Sequence, residues 1–389
     1  MDSLYQKHRT LLASTTLSFK RYIFDKLPWN SRMVGIVGPR GVGKTTMLLQ
    51  YIKEQNDSDF LYVSADDIYF ASHRLTDLAD DFYRLGGKQI FIDEIHKYKD
   101  WSIELKNIYD FYPKLKVVFT GSSILDIRKG IADLSRRALM FAMQGFSFRE
   151  YLLFYHNIDV PVHSFEDIIG HHVSLLDKVE HPIPLFKEYL QTGYYPLATE
   201  DNFNIRLGQI INLTLEMDIP QFANLSVSTA RKLKRLLLVI AESVPFKPNF
   251  SSIAAKLEIS RNSLEEYTSL MEDAGLIARL RDQTSGIIGL GKVDKIYLDN
   301  TNLVYYLSEK EPSIGNVRET FFLNQIRVNN PVKSSSVADF KTGKYTFEIG
   351  GKNKTQEQIK DTKNAYIVKD DIEYGYKNVI PLWAFGLNY

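Results

Sequence analysis

The sequence predicts an α/β protein that begins with a parallel sheet and continues with helical and smaller α/β segments. Two observations support this class. Short apolar runs alternate with helical segments between about residues 33 and 142, and a glycine-rich loop separates the first apolar run from the first helix. Such alternation is typical of a parallel sheet covered by helices. The predicted strands are 33–37, 60–64, 89–93, 116–120 and 138–143, and the predicted helices are 44–55, 73–85 and 101–113.

The composition is that of an ordinary globular protein, with 44% apolar and 24% charged residues. The net charge of +1 provides no global basic field, so any contact with nucleic acid must be local. There is no cysteine, which excludes disulfides, thiolate catalysis and cysteine-ligated zinc. The N-terminus lacks a signal-peptide core, and the longest apolar run, 236–241, is too short to span a membrane. We therefore expect a cytoplasmic protein with no membrane partner.

The loop after the first predicted strand reads GPRGVGKT at 38–45, which matches the G-x-x-x-x-G-K-[ST] pattern in the required strand–loop–helix context. Its glycines allow a tight loop whose backbone N–H groups converge on phosphate oxygens, and the helix N-terminus adds positive potential. Lys44 is expected to reach the β- and γ-phosphates of ATP, and Thr45 to offer its hydroxyl to Mg²⁺. The predicted nucleotide-binding residues here are Gly38, Pro39, Arg40, Gly41, Val42, Gly43, Lys44, Thr45 and Thr46.

Two acids follow the third predicted strand, in IFIDEIHK at 90–97. Asp93 ends the strand, where a carboxylate can hold Mg²⁺ together with Thr45. Glu94 can orient the attacking water or accept its proton, which favours ATP hydrolysis over phosphoryl transfer to a metabolite. Glu94 and Lys44 are therefore candidate catalytic residues. The alternative for Glu94 is a solvated residue at a strand end, and His96 is predicted to be structural.

Two further positions are candidates for contact with the γ-phosphate. The strand 116–120 ends in FTGSS, so Thr120 or Ser122 would lie between the loop and the acids, and we assign Ser122 to the nucleotide site. The alternative is turn chemistry around Gly121. Arg137 precedes the last strand and is assigned as a catalytic arginine, acting in its own chain or on a neighbouring subunit. The alternative for Arg137 is a surface ion pair.

These residues resemble a known group. GPRGVGKTT, FIDEIHK, FTGSS and RRALMFAMQGFSFREYL look like the bacterial and archaeal AAA+-like ATPases of the archaeal-ATPase type. In that group a C-terminal domain of uncharacterised function follows the ATPase core. LFKEYLQTGYYP also resembles the group, with Tyr194 where a second glycine is usual. The resemblance places Lys44, Thr45, Asp93 and Glu94 in the nucleotide motifs, and Arg137 at the arginine that ends a small-residue turn, where Arg136 replaces a glycine.

The predicted domains are a P-loop AAA+-like core at 1–145, a helical lid at 146–226, a winged helix-turn-helix at 227–310 and a restriction-endonuclease-like domain at 311–389. The third helix of the predicted winged helix has one cation, Arg261, against four acids, Glu265, Glu266, Glu272 and Asp273. That is a poor footprint for DNA. Better phosphate contacts lie on the first helix and the wing, at Arg231, Lys232, Lys234, Arg235, Arg279, Arg281, Lys292 and Lys295. DNA binding, protein interaction and a structural role all remain open.

The resemblance of the tail implies a nuclease-like frame with Glu319, Asp339 and Glu348 as its acids. Gly350 stands where a catalytic lysine is usual, and Val337 stands where a further acid is common. Lys352 is the nearest cation after Glu348. Because two parts of the site are missing, nuclease activity is not expected, and the acids are interpreted as surface residues on a scaffold used for contacts.

The sequence thus predicts a protein that binds ATP and Mg²⁺, hydrolyses ATP slowly and uses nucleotide state to reposition its C-terminal domains. One alternative is a DNA-associated ATPase of mobile-element or defence type. The other is an ATP-regulated protein-interaction switch. Expected partners besides ATP are DNA bound through the winged helix, further copies of the chain, or a protein client.

Overall fold

A five-stranded parallel sheet forms the centre of the first of two units, Met1–Gly145 and Phe146–Tyr389. The computed structural model describes residues 1–121, 134, 136–175, 179–198, 200–223, 225–242, 250–282 and 292–389. The strands are β1 (Met33–Val37), β2 (Phe60–Ser64), β3 (Gln89–Asp93), β4 (Lys116–Gly121) and β5 (Leu139–Ala142). Their order is β2–β3–β4–β1–β5 and all neighbours are parallel. The predicted α/β class and the five predicted strands are confirmed.

Both faces of this sheet are buried along β1 to β4, as expected for a parallel sheet between helices, whereas the edge strand β5 is partly exposed. Along β1, Met33 and Val37 pack into one hydrophobic cluster, whereas Val34 and Ile36 pack into the other. This alternation follows from the two-residue period of a strand. The strands therefore read as continuous apolar runs because each side of the sheet has its own core.

Four helices accompany the sheet: α1 (Asp2–Ser14), α2 (Lys44–Gln55), α3 (Leu75–Arg84) and α4 (Trp101–Phe111). The predicted bounds of α2 are confirmed. Helix α4 ends before 113 because Pro113 disfavours helical backbone at Tyr112, whose ψ is 77°. Helix α1 was not predicted, and it is fastened to β2 where the Tyr62 N–H donates to His8 Nδ1 at 3.0 Å.

The strand order determines where the candidate residues meet. In a parallel sheet all carboxyl ends lie at one edge, and β4 separates β1 from β3. The loop after β1, the acids after β3 and the end of β4 therefore share that edge, with β4 in the middle. This confirms the expectation that the end of the fourth strand lies between the glycine-rich loop and the acids.

The second unit begins with helices and continues with an antiparallel hairpin. Its helices up to the hairpin are α5 (Phe148–His156), α6 (Phe165–Leu175), α7 (Pro182–Glu188), α8 (Phe203–Leu213), α9 (Ile219–Ala223), α10 (Val227–Glu242), α11 (Phe250–Lys256) and α12 (Arg261–Asp273). The hairpin strands are β6 (Ile277–Arg281) and β7 (Val293–Leu298). Three helices followed by two antiparallel strands is the element order expected for residues 227–310. The predicted glycine-rich tip, 285–291, lies outside the described residues.

A mixed five-stranded sheet follows α13 (Thr301–Leu307) and α14 (Ile314–Ile326). Its strands are β8 (Lys333–Ser334), β9 (Phe340–Thr342), β10 (Tyr345–Gly350), β11 (Ala365–Lys369) and β12 (Val379–Pro381). Phe322 of α14 packs on Phe340 and Phe347 of this sheet, with ring centroids 5.2 Å apart in both pairs. The helix-then-strands prediction for the tail is confirmed.

Residues of the predicted lid and tail pack together within the second unit. The Ser147 hydroxyl donates to the carbonyl oxygen of Tyr389 at 2.6 Å, and Gln325 Nε2 donates to the Tyr189 hydroxyl at 3.0 Å. The predicted boundaries at 226 and 310 fall inside this unit and stay predictions. Across the described ranges, no helix is long and apolar enough to cross a membrane.

Candidate nucleotide-binding site

The glycine-rich loop joins β1 to α2 and owes its shape to three glycines. Gly41 and Gly43 have φ of 79° and 93°, in the left-handed region that favours glycine. Gly38 lies so close to the carbonyl oxygen of Met143 that a Cβ there would collide with it. The loop ends at the N-terminus of the 12-residue helix α2, which favours anions. The backbone therefore has the form that a phosphate-binding loop requires.

Lys44 points into this loop. Its Nζ donates to the carbonyl oxygens of Gly38 and Pro39, both at 2.8 Å, and its side chain is buried. An ammonium held by loop carbonyls is already in position for a phosphate that enters the loop. This geometry agrees with the prediction that Lys44 reaches the phosphates of a bound nucleotide.

Asp93 accepts hydrogen bonds from three hydroxyls. Its Oδ2 accepts from Thr45 at 2.6 Å and from Tyr62 at 2.9 Å, and its Oδ1 accepts from Thr120. Burial, and then the charge of Asp93, raise the pKa of Tyr62, so this phenol stays protonated and acts as a donor. The structure thus brings Thr45 and Asp93 together, as predicted.

Thr45 and Asp93 also fit a magnesium ion. Mg²⁺ in phosphate sites uses few protein oxygens and takes its other ligands from phosphate and water. One hydroxyl and one carboxylate beside the loop satisfy that requirement. In the part of the chain that the structure describes, no group of three or more His, Cys, Asp or Glu is arranged to hold a metal ion. A metal at this position would therefore depend on the nucleotide.

Glu94 has an unusual backbone and a partly buried carboxylate. Its φ of 53° is in the left-handed region, which is strained for a residue with a side chain. Its N–H donates to Thr120 Oγ1 at 3.1 Å, and its carboxylate lies 3.8 Å from Arg40 and 3.7 Å from His96. Burial raises the pKa of Glu94, and the charge of Arg40 opposes that rise. A raised pKa brings a carboxylate closer to the range of a general base at neutral pH.

Thr120 links the two acids, because its side chain donates to Asp93 and accepts from the Glu94 backbone. It was one of two sequence candidates at this strand end. The other, Ser122, lies outside the described residues. The geometry gives Thr120 the position between loop and acids.

Arg137 does not join this site within its own chain. It forms a two-bond ion pair with Asp110, Nε to Oδ1 and Nη2 to Oδ2, each at 2.9 Å. Because Leu139 pairs with Val34, Arg137 lies at the edge where the parallel strands begin, whereas the P-loop leaves the opposite edge. Strands rise about 3.3 Å per residue, so the two edges are roughly 13 Å apart. The assignment of Arg137 to the γ-phosphate of its own chain is corrected to an ion pair.

Arg21 was missed by the sequence analysis. Its buried guanidinium donates to the carbonyl oxygens of Gln144 and Gly145 at 2.7 and 2.9 Å, and to that of Val42 inside the loop. Its acceptors are backbone groups far along the chain, and no local pattern signals such partners. Arg21 therefore joins the loop to the segment that follows β5 through hydrogen bonds.

The predicted wing cations are mostly engaged. Arg279 Nε lies 2.7 Å and Arg281 Nη2 lies 2.9 Å from the same carboxylate oxygen of Glu272. Lys295 Nζ lies 3.3 Å from Asp339 and 3.5 Å from Glu319. Three of the four wing cations assigned to phosphate contact are therefore engaged in ion pairs within the chain. Their assignment as free phosphate contacts is corrected.

Glu319, Asp339 and Glu348, the acidic cluster, come together in the second unit. Lys295 contacts the first two, and Lys354 forms an ion pair with Glu348. A Cβ on Gly350 would lie 2.6 Å from Lys354 Cβ. The Lys354 side chain therefore lies directly against Gly350, the position at which the resemblance implies a catalytic lysine. Lys352 is nearer to Glu348 along the chain, but the fold pairs Lys354 with this acid. The interpretation of these acids as surface residues is wrong for Glu348, which is 3% exposed, whereas Glu319 and Asp339 are partly buried.

Lys295→Met is expected to lower the free energy of unfolding by about 1–3 kcal/mol. The substitution leaves two mostly buried carboxylates side by side. Burial and Asp339 already raise the pKa of Glu319, and Lys295 opposes that rise. An acid whose folded pKa is raised destabilises most when ionised, so the loss should be larger at neutral than at mildly acidic pH. Urea denaturation measures it, with the exposed Lys292→Met as control, and equal losses would contradict the ion-pair role.

Two family models match the chain. Residues 30–152 match the AAA domain, and residues 183–313 match a domain of unknown function, DUF8612. The first match spans the five strands, the loop and both acids. Together with the strand order and loop geometry it identifies the first unit as a P-loop ATPase fold of the AAA type and supports ATP binding. The second model describes a domain of unknown function, so this match assigns no activity to residues 183–313.

The proteins similar to this chain include a curated protein and the solved structures of two ATP-related proteins. Uncharacterized protein MJ1637 of Methanocaldococcus jannaschii is 27% identical over 269 residues, which cover 64% of this chain and 56% of that protein. The chain therefore spans little more than half the length of this relative. The Walker-type ATPase PABY2304 of Pyrococcus abyssi is 15% identical over 74% of this chain and 95% of its own, with a TM-score of 0.40. AMPPCP-bound DnaA from Aquifex aeolicus is 11% identical over 64% and 84%, with a TM-score of 0.27.

Proposed function

We propose that this protein binds ATP with Mg²⁺ and hydrolyses it slowly. One arrangement carries the proposal: Asp93 accepts from Thr45 at the end of the phosphate-binding loop, and Glu94 follows it with a partly buried carboxylate 3.8 Å from Arg40. Such a pair of acids beside the loop is what hydrolysis requires. Phosphate release from ATP, with and without a magnesium chelator, tests the proposal. Binding of ATP without any metal-dependent release would contradict hydrolysis.

Each residue has a defined part in this reaction. Lys44 and the loop N–H groups bind and orient the phosphates. Thr45 and Asp93 would hold Mg²⁺, which would supply positive charge next to the phosphates. Glu94 orients the attacking water and accepts its proton, while Thr120 and Tyr62 hold the Asp93 carboxylate. Tyr62 and Thr120 are thus positioning residues.

Slow turnover follows from two contacts. Arg137 is paired with Asp110, so any action on a nucleotide requires a neighbouring copy of the chain. An arginine supplied to the γ-phosphate accelerates hydrolysis by about 10³–10⁵ in P-loop enzymes. Arg40 also forms an ion pair with the base, Glu94. We therefore expect the isolated chain to hydrolyse bound ATP more slowly than it binds ATP.

Arg40→Gln is expected to move the acidic limb of the ATPase pH profile to higher pH. The charge of Arg40 lowers the pKa of Glu94 against the effect of burial, so its removal raises that pKa. The base is then protonated, and activity is lost, at a higher pH than in the wild type. The measurement is the pH dependence of kcat at saturating ATP. Arg40→Lys keeps the charge and should leave the limb near its wild-type position, and an identical profile for Arg40→Gln would refute the assignment.

We also propose that nucleotide state repositions the second unit. Arg21 supports this, since one buried guanidinium contacts Val42 in the loop and Gly145, where the first unit ends. A loop that adjusts to phosphate therefore moves the point of attachment of the second unit. The chain has no cysteine, so one cysteine introduced on each unit gives a specific label pair. Energy transfer between the labels should differ between ATP and ADP, and equal transfer in both states would contradict the proposal.

We propose that the acidic cluster has no nuclease activity. Lys295 and Lys354 hold its carboxylates in ion pairs, which compete with binding of a metal ion. We expect no cleavage of plasmid DNA with Mg²⁺ or Mn²⁺. Metal-dependent cleavage by the wild type that is lost in Asp339→Ala would overturn this proposal.

A further inference from the structure

One exposed side of α10 carries a concentration of positive charge that the proposed ATPase reaction does not use. We call this side the basic face, and its residues are Arg231, Lys232, Lys234 and Arg235. The opposite side of the helix is buried through Leu233, Leu236, Leu237 and Ile240. The acid of this helix is Glu242 at its end, so no negative side chain of α10 itself interrupts the basic face.

The two arginines of this face are free to bind a ligand. Neither Arg231 nor Arg235 forms a hydrogen bond or ion pair with any residue that the structure describes. Lys234 contacts Asn212 at 2.9 Å and Glu216 at 3.9 Å, and Lys232 donates to the Glu258 carbonyl oxygen. A groove of about 480 Å³ runs along these side chains and is also lined by Ser228 and Leu238.

The neighbouring elements do not offer a second basic surface. Glu265 and Glu266 are exposed on α12, the helix that reads the major groove in helix-turn-helix proteins, and Arg261 there pairs with Glu265. In the hairpin, Arg279 and Arg281 share the carboxylate of Glu272. A polyanion approaching this part of the chain is therefore attracted to α10 and repelled by α12.

The chemistry of the face favours phosphates over a protein partner. Protein interfaces are organised around buried aromatic and apolar anchors. Among the described residues that line the groove, Leu238 is apolar and the others are cations and a serine. Charged groups without apolar anchors are typical of contacts to the nucleic-acid backbone, which position the protein without reading sequence.

We infer that the basic face of α10 binds the phosphate backbone of a nucleic-acid duplex without sequence preference. The contact is made by the first helix of the three-helix segment, and the acidic third helix faces away from the duplex. This inference does not depend on ATP hydrolysis, because α10 belongs to the second unit and its charges are present with or without nucleotide.

Fluorescence anisotropy with labelled duplexes of about two helical turns and unrelated sequences tests the inference, without nucleotide, from about 50 to 200 mM salt. The wild type should bind the duplexes equally, with affinity that falls steeply as salt increases. Arg231→Gln/Arg235→Gln removes two phosphate contacts and should reduce the salt slope by about 2 and the low-salt affinity by roughly tenfold or more. Glutamine keeps helix propensity close to that of arginine.

Lys256→Gln/Arg261→Gln is the matched control, since it removes the same charge from exposed positions on α11 and α12. This variant should bind like the wild type. Loss of binding in the control equal to that in the α10 variant would overturn the inference, and so would failure of the wild type to bind any duplex at low salt. Binding of polyglutamate in place of duplex would also overturn it and identify an acidic protein as the partner.

Discussion

Lys44→Ala is expected to weaken ATP binding by a factor of roughly 10²–10⁴. The Lys44 ammonium lies inside the loop on the Gly38 and Pro39 carbonyl oxygens, where phosphates would enter. A hydrogen bond to a charged group contributes about 1.5–3 kcal/mol, and two such bonds to phosphate oxygens account for this factor. Isothermal titration calorimetry with ATP measures the loss directly.

The matched control is Lys53→Ala. Lys53 lies on the same helix, α2, and its Nζ donates to the Thr15 carbonyl oxygen away from the loop. Lys53→Ala removes the same charge from the same helix as Lys44→Ala. ATP binding by Lys53→Ala should therefore stay near that of the wild type if the position of the lysine, rather than the net charge, matters. Thermal unfolding of both variants confirms that they fold. ATP binding by Lys44→Ala that is indistinguishable from wild type would remove the loop from the nucleotide site.

Glu94→Gln is expected to preserve ATP binding and to lower the rate of hydrolysis by about 10²–10⁴. Glutamine keeps the shape of the side chain and its neighbours Arg40 and His96, but it cannot accept a proton. The phosphates are bound by the loop and Lys44, so affinity should change little. Steady-state phosphate release and calorimetric titration separate the two quantities.

Glu54→Gln provides the control for this change, because Glu54 is an exposed glutamate of α2 that pairs with Lys20 on the surface. Its rate should equal that of the wild type. Equal rates for the wild type and Glu94→Gln would show that the base is elsewhere. Loss of ATP binding in Glu94→Gln would instead mean that the strained backbone at this residue depends on the carboxylate.

The sequence predicted the sheet, the loop and both acids because their signals are local. Apolar runs of about five residues reveal strands that are buried on both faces, and a motif of eight residues reveals the loop. Helix α1 was not predicted, although its inward residues Leu4, His8 and Leu12 recur at the spacing of one helix face. The end of α4 was placed too late because Pro113 acts on the residue before it.

The charged residues were harder to assign, because a charge can be neutralised by any residue that the fold brings near. Arg137 pairs with Asp110, and Lys354 reaches Glu348 across Gly350. Arg281 shares Glu272 with Arg279 although all three appeared as separate features of a DNA-binding module. None of these partners is at a spacing that a sequence pattern reports.

By itself, the sequence determined that this protein has a phosphate-binding loop followed by a strand with two acids, because these features depend on backbone shape and on neighbours along the chain. The tertiary structure decided which charges are free. It placed Thr120 between Asp93 and Glu94, put Arg137 at the opposite edge of the sheet and left Arg231 and Arg235 exposed. Coulomb attraction acts over a few ångströms in space whatever the separation in sequence, so only the folded chain determines which ion pairs form.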